Sequence, residues 1–250
     1  MKKILCLIDF EFRRSAILLM VISASMVLAQ IISFLFTLSR SEYRYYRFEH
    51  LLDLAAYPFL FSVFLTAVLL LIAFSFYQNF YGSKSIYTLM TLPGDRYDVY
   101  ISKLLSGILS VLFIAATQIA SVFFTYQIYI NSLSGIRKIN NGLFLAFTRS
   151  KFLKTFLPLG IYPFLTSLIF TVSLVIMSIY IFVCLKKGER IKMSIVPVIV
   201  LWSIQFIYSI DQLAFDFKLV YFVIPLVLIV ICTVFMICHS IKAIRSTKVL

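Results

Sequence analysis

Long uncharged runs, separated by short clusters of charge, organise the chain. The stretch from Arg14 to Arg40 encloses 25 residues without Asp, Glu, Lys or Arg. Asp53 to Lys84 encloses 30, Lys103 to Arg137 33, Lys154 to Lys186 31, Lys192 to Asp211 18, and Lys218 to Lys242 23. A hydrocarbon core about 30 Å thick takes about 20 apolar residues in helical form. In lipid the backbone must be hydrogen-bonded within its own segment, which selects helices. The pattern therefore predicts an all-α integral membrane protein, a six-transmembrane-helix bundle forming a single transmembrane domain over residues 1–250. The spans are expected near 15–38, 56–79, 101–130, 157–184, 194–210 and 219–239.

Two segments outside these spans have amphipathic character. Residues 1–14 mix Ile4, Leu5, Leu7, Ile8, Phe10 and Phe12 with lysine, arginine and acids. This is too short and too charged to span. It reads as an interfacial helix feeding the first span, or as a polar tail flanking it. Between Gly142 and Thr155, Leu143, Phe144, Phe147 and Phe152 alternate with Arg149, Lys151 and Lys154. An amphipathic helix on the membrane surface is expected there. The first apolar run exceeds the length of a signal-peptide core and lacks an A-x-A site, so it is expected to be retained.

Composition agrees with the pattern. Hydrophobic residues make up 62% of the chain and charged residues 13%, against about 25% charged in soluble domains. The net charge of +13 would point to nucleic acid in a soluble protein. Here the cations lie between apolar runs, where they set topology and meet lipid headgroups, so the bilayer and not nucleic acid is the expected partner.

With both termini cytoplasmic, the inner segments carry fourteen cations. These are Lys2, Lys3, Arg13 and Arg14; Lys84, Arg96 and Lys103; Lys186, Lys187, Arg190 and Lys192; and Lys242, Arg245 and Lys248. The outer segments carry nine: Arg40, Arg44 and Arg47; Arg137, Lys138, Arg149, Lys151 and Lys154; and Lys218. The positive-inside bias favours this orientation and a plasma-membrane, multi-pass protein. The 131–154 segment runs against the trend, with five cations and no acid.

Catalytic and metal-binding patterns are missing from the sequence. Cys6, Cys184, Cys232 and Cys238 form no CxxC pair, and His50 and His239 stand far apart, so no metal site and no bound cofactor are expected. There is no GxxxxGK[ST] loop for phosphate, no HExxH and no Ser/His/Asp grouping. No span has a charged residue at its middle, as ion-coupled transporters usually do. The expectation is a chain that is not an enzyme. Pro197 and Pro225 lie within the fifth and sixth spans and would permit kinks. In the third span Ser102, Ser106 and Ser110, continued by Thr117 and Ser121, share one face beside Gly107. Such a face permits close helix approach, and these residues are read as a helix-packing seam.

The segment between the second and third spans is the most specific. It runs from Gly82 through Ser83, Lys84, Ser85, Ile86, Tyr87, Thr88, Leu89, Met90, Thr91, Leu92, Pro93, Gly94 and Asp95 to Arg96, then to Lys103. Ser83 or Ser85 can N-cap a short helix. Ile86, Leu89, Met90 and Pro93 recur at helical spacing, and Pro93-Gly94 ends the pattern as a turn. A short cytoplasmic helix follows, with Tyr87, Leu89 and Leu92 available to a partner.

This stretch resembles the membrane subunits of ABC-2 type ATP-binding-cassette exporters. Their span-two-to-three loop reads G-T-x-x-x-L-L-x-x-P-x-x-R before a lysine that opens span three. Gly82, Leu89, Met90, Pro93, Arg96 and Lys103 stand at corresponding places. The match covers about 22 residues plus the span pattern. It departs where the family often has acids before the glycine, since Gln78, Asn79, Phe80 and Tyr81 stand there. It departs also in the Asp211–Lys218 loop, too short for the re-entrant helices of many lipid and polysaccharide exporters.

The resemblance implies a permease that dimerises with a second copy or a related permease. It binds a separate ATP-binding-cassette ATPase, which holds ATP and magnesium. Ser85, Tyr87, Leu89, Leu92, Pro93 and Arg96 then form the coupling helix. The cargo would be hydrophobic or amphipathic: a peptide, an antimicrobial or a lipid-like molecule. Other readings are a non-transporting immunity, sensor or assembly protein built on the same bundle, and a secondary transporter.

Overall fold

The computed structural model describes residues 2–40, 46–77, 96–132, 142–150, 152–153, 161–187, 227, 229–238 and 240. Every regular element among them is α-helical. Helix α1 is Lys2–Ser39, α2 is Phe48–Leu54 and α3 is Tyr57–Tyr77. Helix α4 is Arg96–Ser132, α5 is Leu143–Arg149 and α6 is Ile161–Lys187. A further apolar helix, α7, covers Ile229–Cys238.

Three stretches are long and apolar enough to cross a membrane: Leu5–Ser39, Tyr57–Ser75 and Tyr100–Ser132. Leu168–Tyr180 and Ile229–Cys238 are shorter apolar helices. Together they make a multi-pass membrane architecture. The spans expected near 15–38, 56–79, 101–130 and 157–184 fall on α1, α3, α4 and α6, and part of the one near 219–239 falls on α7. The span near 194–210 lies outside the described residues. Outward faces are apolar, with Ile17, Ile32, Phe36, Phe59, Leu70 and Phe124 each more than 60% exposed. In a soluble protein such surface would be a liability; facing acyl chains it costs nothing.

Residues 2–14 do not form an element of their own. Helix α1 contains no glycine or proline and runs unbroken for 38 residues, so the expected interfacial helix is the first part of the spanning helix. A proline early in a helix breaks nothing, because the first-turn N–H groups have no partner anyway. Pro58 in α3 and Pro163 in α6 both sit there.

Many helix hydroxyls are satisfied by their own backbone. Ser23 donates to the Met20 carbonyl at 2.9 Å, Thr66 to Val63 at 2.7 Å and Ser173 to Phe170 at 2.7 Å. This removes the cost of a hydroxyl in lipid.

The chain divides into two compact units. One comprises Phe12–Val68 and Leu109–Ser167. Its core joins Phe34 of α1, Phe48, Leu51 and Leu52 of α2, Tyr57 of α3, Val122 of α4, Ala146 and Phe147 of α5, and Leu153. Phe48 is the hub, with ring centroids 5.9 Å from Phe34, 5.2 Å from Tyr126 and 5.5 Å from Tyr129. The surface helix expected over Gly142–Thr155 takes a different form here. It ends at Arg149, Ser150 is extended, and Ala146, Phe147 and Leu153 turn inward under α2. Ala146, Phe147 and Leu153 are buried in this core, and burial of apolar surface favours that placement. Arg149 reaches Glu49 of α2 at 3.9 Å.

The other unit comprises Met1–Glu11, Leu69–Ile108 and Leu168–Leu250. Ile176 and Tyr180 of α6 and Met236 of α7 form its core, with Leu104, Val172, Met177, Ile229, Cys232 and Ile237 packed around them.

Candidate functional site

The expected coupling residues Ser85, Tyr87, Leu89, Leu92 and Pro93 lie outside the described residues, and Arg96 is the first residue of α4. Residues 78–95 thus connect two membrane-crossing helices, α3 and α4. Of the serines expected to line a packing seam, Ser102 and Ser110 are buried and Ser106 is half-buried. The Ser106 hydroxyl donates to the Lys103 carbonyl of its own helix at 2.9 Å.

Close to Arg96, within the unit containing Met1–Glu11 and Leu69–Ile108, lies a buried ion pair. Lys103 Nζ is 3.1 Å from Glu11 Oε1, and the two side chains are 3% and 5% exposed. Near a membrane surface a lysine normally extends its stem and places its ammonium in water. Lys103 instead turns inward onto α1. Removing two charges from water is costly, and the pairing at close range returns part of that cost. One turn further along α4, Gly107 permits a close approach. A Cβ there would lie 2.8 Å from Val175 Cγ1 of α6 and 3.4 Å from Ile72 Cγ2 of α3. The first turns of α4 are therefore held by α1 through charge and by α3 and α6 through contact.

The second polar constellation belongs to the other unit. Gln30 Nε2 of α1 donates to Gln118 Oε1 of α4 at 2.6 Å, and Ser121 Oγ donates to Gln30 Oε1 at 2.7 Å. Gln30, Gln118, Ser121, Thr125 and Tyr57 are each at most 1% exposed. The Tyr57 hydroxyl is directed toward Thr125 and Ser121 without reaching good hydrogen-bond geometry. Gln118 Nε2 has no hydrogen-bond partner among the described residues. Amides inside a spanning bundle act as interhelical ties, and this cluster joins α1 to α4.

Sequence reasoning did not single out Glu11, Gln30 or Gln118. The signal for the glutamines is plain in retrospect: Gln30 is the lone amide of the first expected span, Gln118 shares the third only with Gln127, and in lipid a buried amide needs a partner. Lys103 stood out through the exporter resemblance, but its partner is 92 residues distant in sequence. No local pattern specifies such a pair.

No protein-family model, no curated protein and no solved structure matches this chain. The functional reading therefore rests on the residues and their geometry.

Proposed function

We propose that this chain is the membrane-embedded permease subunit of an ATP-driven exporter of the ABC-2 type. One observation carries the reading. The segment between α3 and α4, residues 78–95, bears an amphipathic helical pattern over Ser85–Leu92, closed by Pro93-Gly94, and joins two helices of membrane-crossing length. In this reading Tyr87, Leu89 and Leu92 seat in a groove of a separate ATPase subunit. Arg96 pairs with an acid there or complements a helix end. ATP and magnesium stay on the ATPase, and this chain performs no catalysis. A second permease, identical or related, completes the path for a hydrophobic or amphipathic cargo, with both termini of this chain cytoplasmic.

The test is copurification from detergent-solubilised membranes. The intact chain is expected to retain an ATP-binding-cassette ATPase. Replacing Tyr87 and Leu89 together by Ala should weaken docking by about 2–4 kcal/mol, the loss typical of interface anchors. Expression and monodispersity should be preserved. Full ATPase retention and full hydrolysis in that double variant would remove the reading's main support.

A non-transporting immunity, sensor or assembly role is the second reading. It is favoured by the Gln30–Gln118–Ser121 cluster, whose polar groups are sealed in a core and do not line an open path. A chain that retains no ATPase at all would select it.

A further inference from the structure

The lengths of α1 and α4 place the Glu11–Lys103 pair relative to the bilayer. At 1.5 Å per residue, the 38 residues of α1 span about 57 Å. A bilayer with its headgroups is about 40–45 Å thick. The uncharged part of α1 begins at Ser15, so Lys2–Arg14 projects beyond the hydrocarbon. The uncharged part of α4 begins at Leu104, so Arg96–Lys103 projects likewise. Glu11 and Lys103 thus meet where both helices leave the apolar layer. Water is within reach of both, yet the pair is sealed from it.

We propose that Glu11 and Lys103 form a mechanical joint that makes the projecting part of α1 and the first two turns of α4 move as one body. Three features support this. Desolvation consumes most of the attraction of a buried ion pair, so it adds little net stability, yet separating the two groups leaves a charge buried and unpaired, which is costly and holds α1 and α4 together at this point. Arg96 and Lys103 are separated by about two turns of continuous helix, which transmits displacement with little bending. The Gly107 approach to Val175 and Ile72 fixes α4 just beyond the joint, so motion at its start is resolved into rotation about that point. A displacement entering at residues 78–95 then reaches α1 through Lys103. The functional consequence rests on the exporter reading; the joint itself does not.

The test uses the full chain in lipid nanodiscs, with amide hydrogen exchange as the readout. Glu11→Gln and Lys103→Gln should each accelerate exchange roughly tenfold in both Lys2–Glu11 and Arg96–Lys103, since each breaks the shared constraint. The amides of 109–132 should be unaffected. The charge-reversed pair Glu11→Lys with Lys103→Glu should restore protection in both segments. If only the substituted helix responds, or if reversal restores neither segment, the joint is refuted. Should the neutral variants fail to fold, Lys103→Arg and Glu11→Asp take their place. Arg keeps a long cation and should leave both segments protected, whereas the shortened acid should loosen both together; a one-sided response refutes the joint here too.

A second arm measures ATP hydrolysis in the assembled complex. The neutral variants should keep the ATPase bound but lose its stimulation by cargo several-fold, with recovery on charge reversal. Unchanged stimulation alongside loosened segments would refute the joint's role in transmission. If the unmodified chain retains no ATPase, the exporter reading fails while the exchange result still decides the joint.

Discussion

Gln30 and Gln118 face each other across α1 and α4, yet their hydrogen bonding is unequal. Gln30 uses both ends of its amide, donating to Gln118 Oε1 and accepting from Ser121 Oγ. Among the described residues Gln118 uses only its oxygen. The asymmetry predicts unequal mutational costs. Gln30→Leu strips Ser121 of its acceptor and leaves the whole Gln118 amide buried without partners, which should cost about 1–3 kcal/mol. Gln118→Leu deprives Gln30 Nε2 of its acceptor but also removes an amide nitrogen without a partner among the described residues, so the number of unpaired buried groups does not rise and the cost should stay below about 1 kcal/mol, near the usual value of an interhelical bond in a membrane. The double Leu variant should be more stable than Gln30→Leu alone. Reversible unfolding in mixed micelles measures all three. A Gln118→Leu variant at least as unstable as Gln30→Leu would contradict the account.

The turn between α2 and α3 supplies a second prediction. Ala56 has φ of 54°, a left-handed conformation that costs a non-glycine residue about 1–2 kcal/mol. Helices often end this way, but usually with glycine. The turn is held by Ala56 N–H bonding to Asp53 O at 3.1 Å and by Ser33 Oγ donating to the Ala55 carbonyl at 2.7 Å. Ala56 itself is exposed, so substitution there tests backbone conformation and not packing. Ala56→Gly should be neutral or stabilising by up to about 1 kcal/mol, because relief of strain exceeds the added chain entropy. Ala56→Val should destabilise by more than about 1 kcal/mol. Equal stability of the two variants would count against a strained turn.

What the sequence discloses and what it conceals follow from the range of the forces involved. Helices α1, α3, α4 and α6 were legible because the cost of charge in hydrocarbon is paid residue by residue, leaving uncharged runs that can be counted. The end of α1 was not legible, because the charges of residues 1–14 announce the membrane boundary and not the helix boundary. Without glycine or proline the helix simply continues past it. Helix α2 was missed because seven residues, Phe48–Leu54, are too few to show a period. Their helicity comes from packing Phe48, Leu51 and Leu52 into a core whose other members lie far along the chain. The inward turn of Phe147 and Leu153 was missed for the same reason. Of the candidate site, Arg96 and Lys103 were visible through local motif and resemblance. Glu11 was not, since only tertiary structure brings it to Lys103.

Orientation across the membrane gives the third prediction. Fourteen of the 23 cations fall in segments assigned to the cytoplasm, which favours that side by the positive-inside rule. A cysteine introduced at Ser134 should react with a membrane-impermeant maleimide in intact cells, and one at Gly188 should react only after permeabilisation. Labelling of Gly188→Cys in intact cells would reverse the topology and remove the basis for an ATPase meeting residues 78–95.

Gly107 permits the sharpest stability test, because two effects there have opposite signs. In the interior of a solitary helix, Gly→Ala is favourable by about 1 kcal/mol. At this position the added Cβ would lie 2.8 Å from Val175 Cγ1, well inside the contact distance of two carbons. Val175 is buried and β-branched, so it cannot swing aside by a simple rotamer change. Overpacking of this kind costs about 1–3 kcal/mol, which outweighs the gain in helix propensity. Gly107→Ala should therefore lower stability by about 1 kcal/mol or more in detergent unfolding. Removing the obstacle should reverse the sign of the effect: in a Val175→Ala background, where the Cγ1 atom is absent, Gly107→Ala should be neutral or stabilising. The observable is the coupling between the two substitutions, which a double-mutant cycle isolates from the cost of the Val175→Ala cavity itself. Additive effects would mean that α4 and α6 do not approach this closely at Gly107, and the pivot assigned to that contact would then be lost.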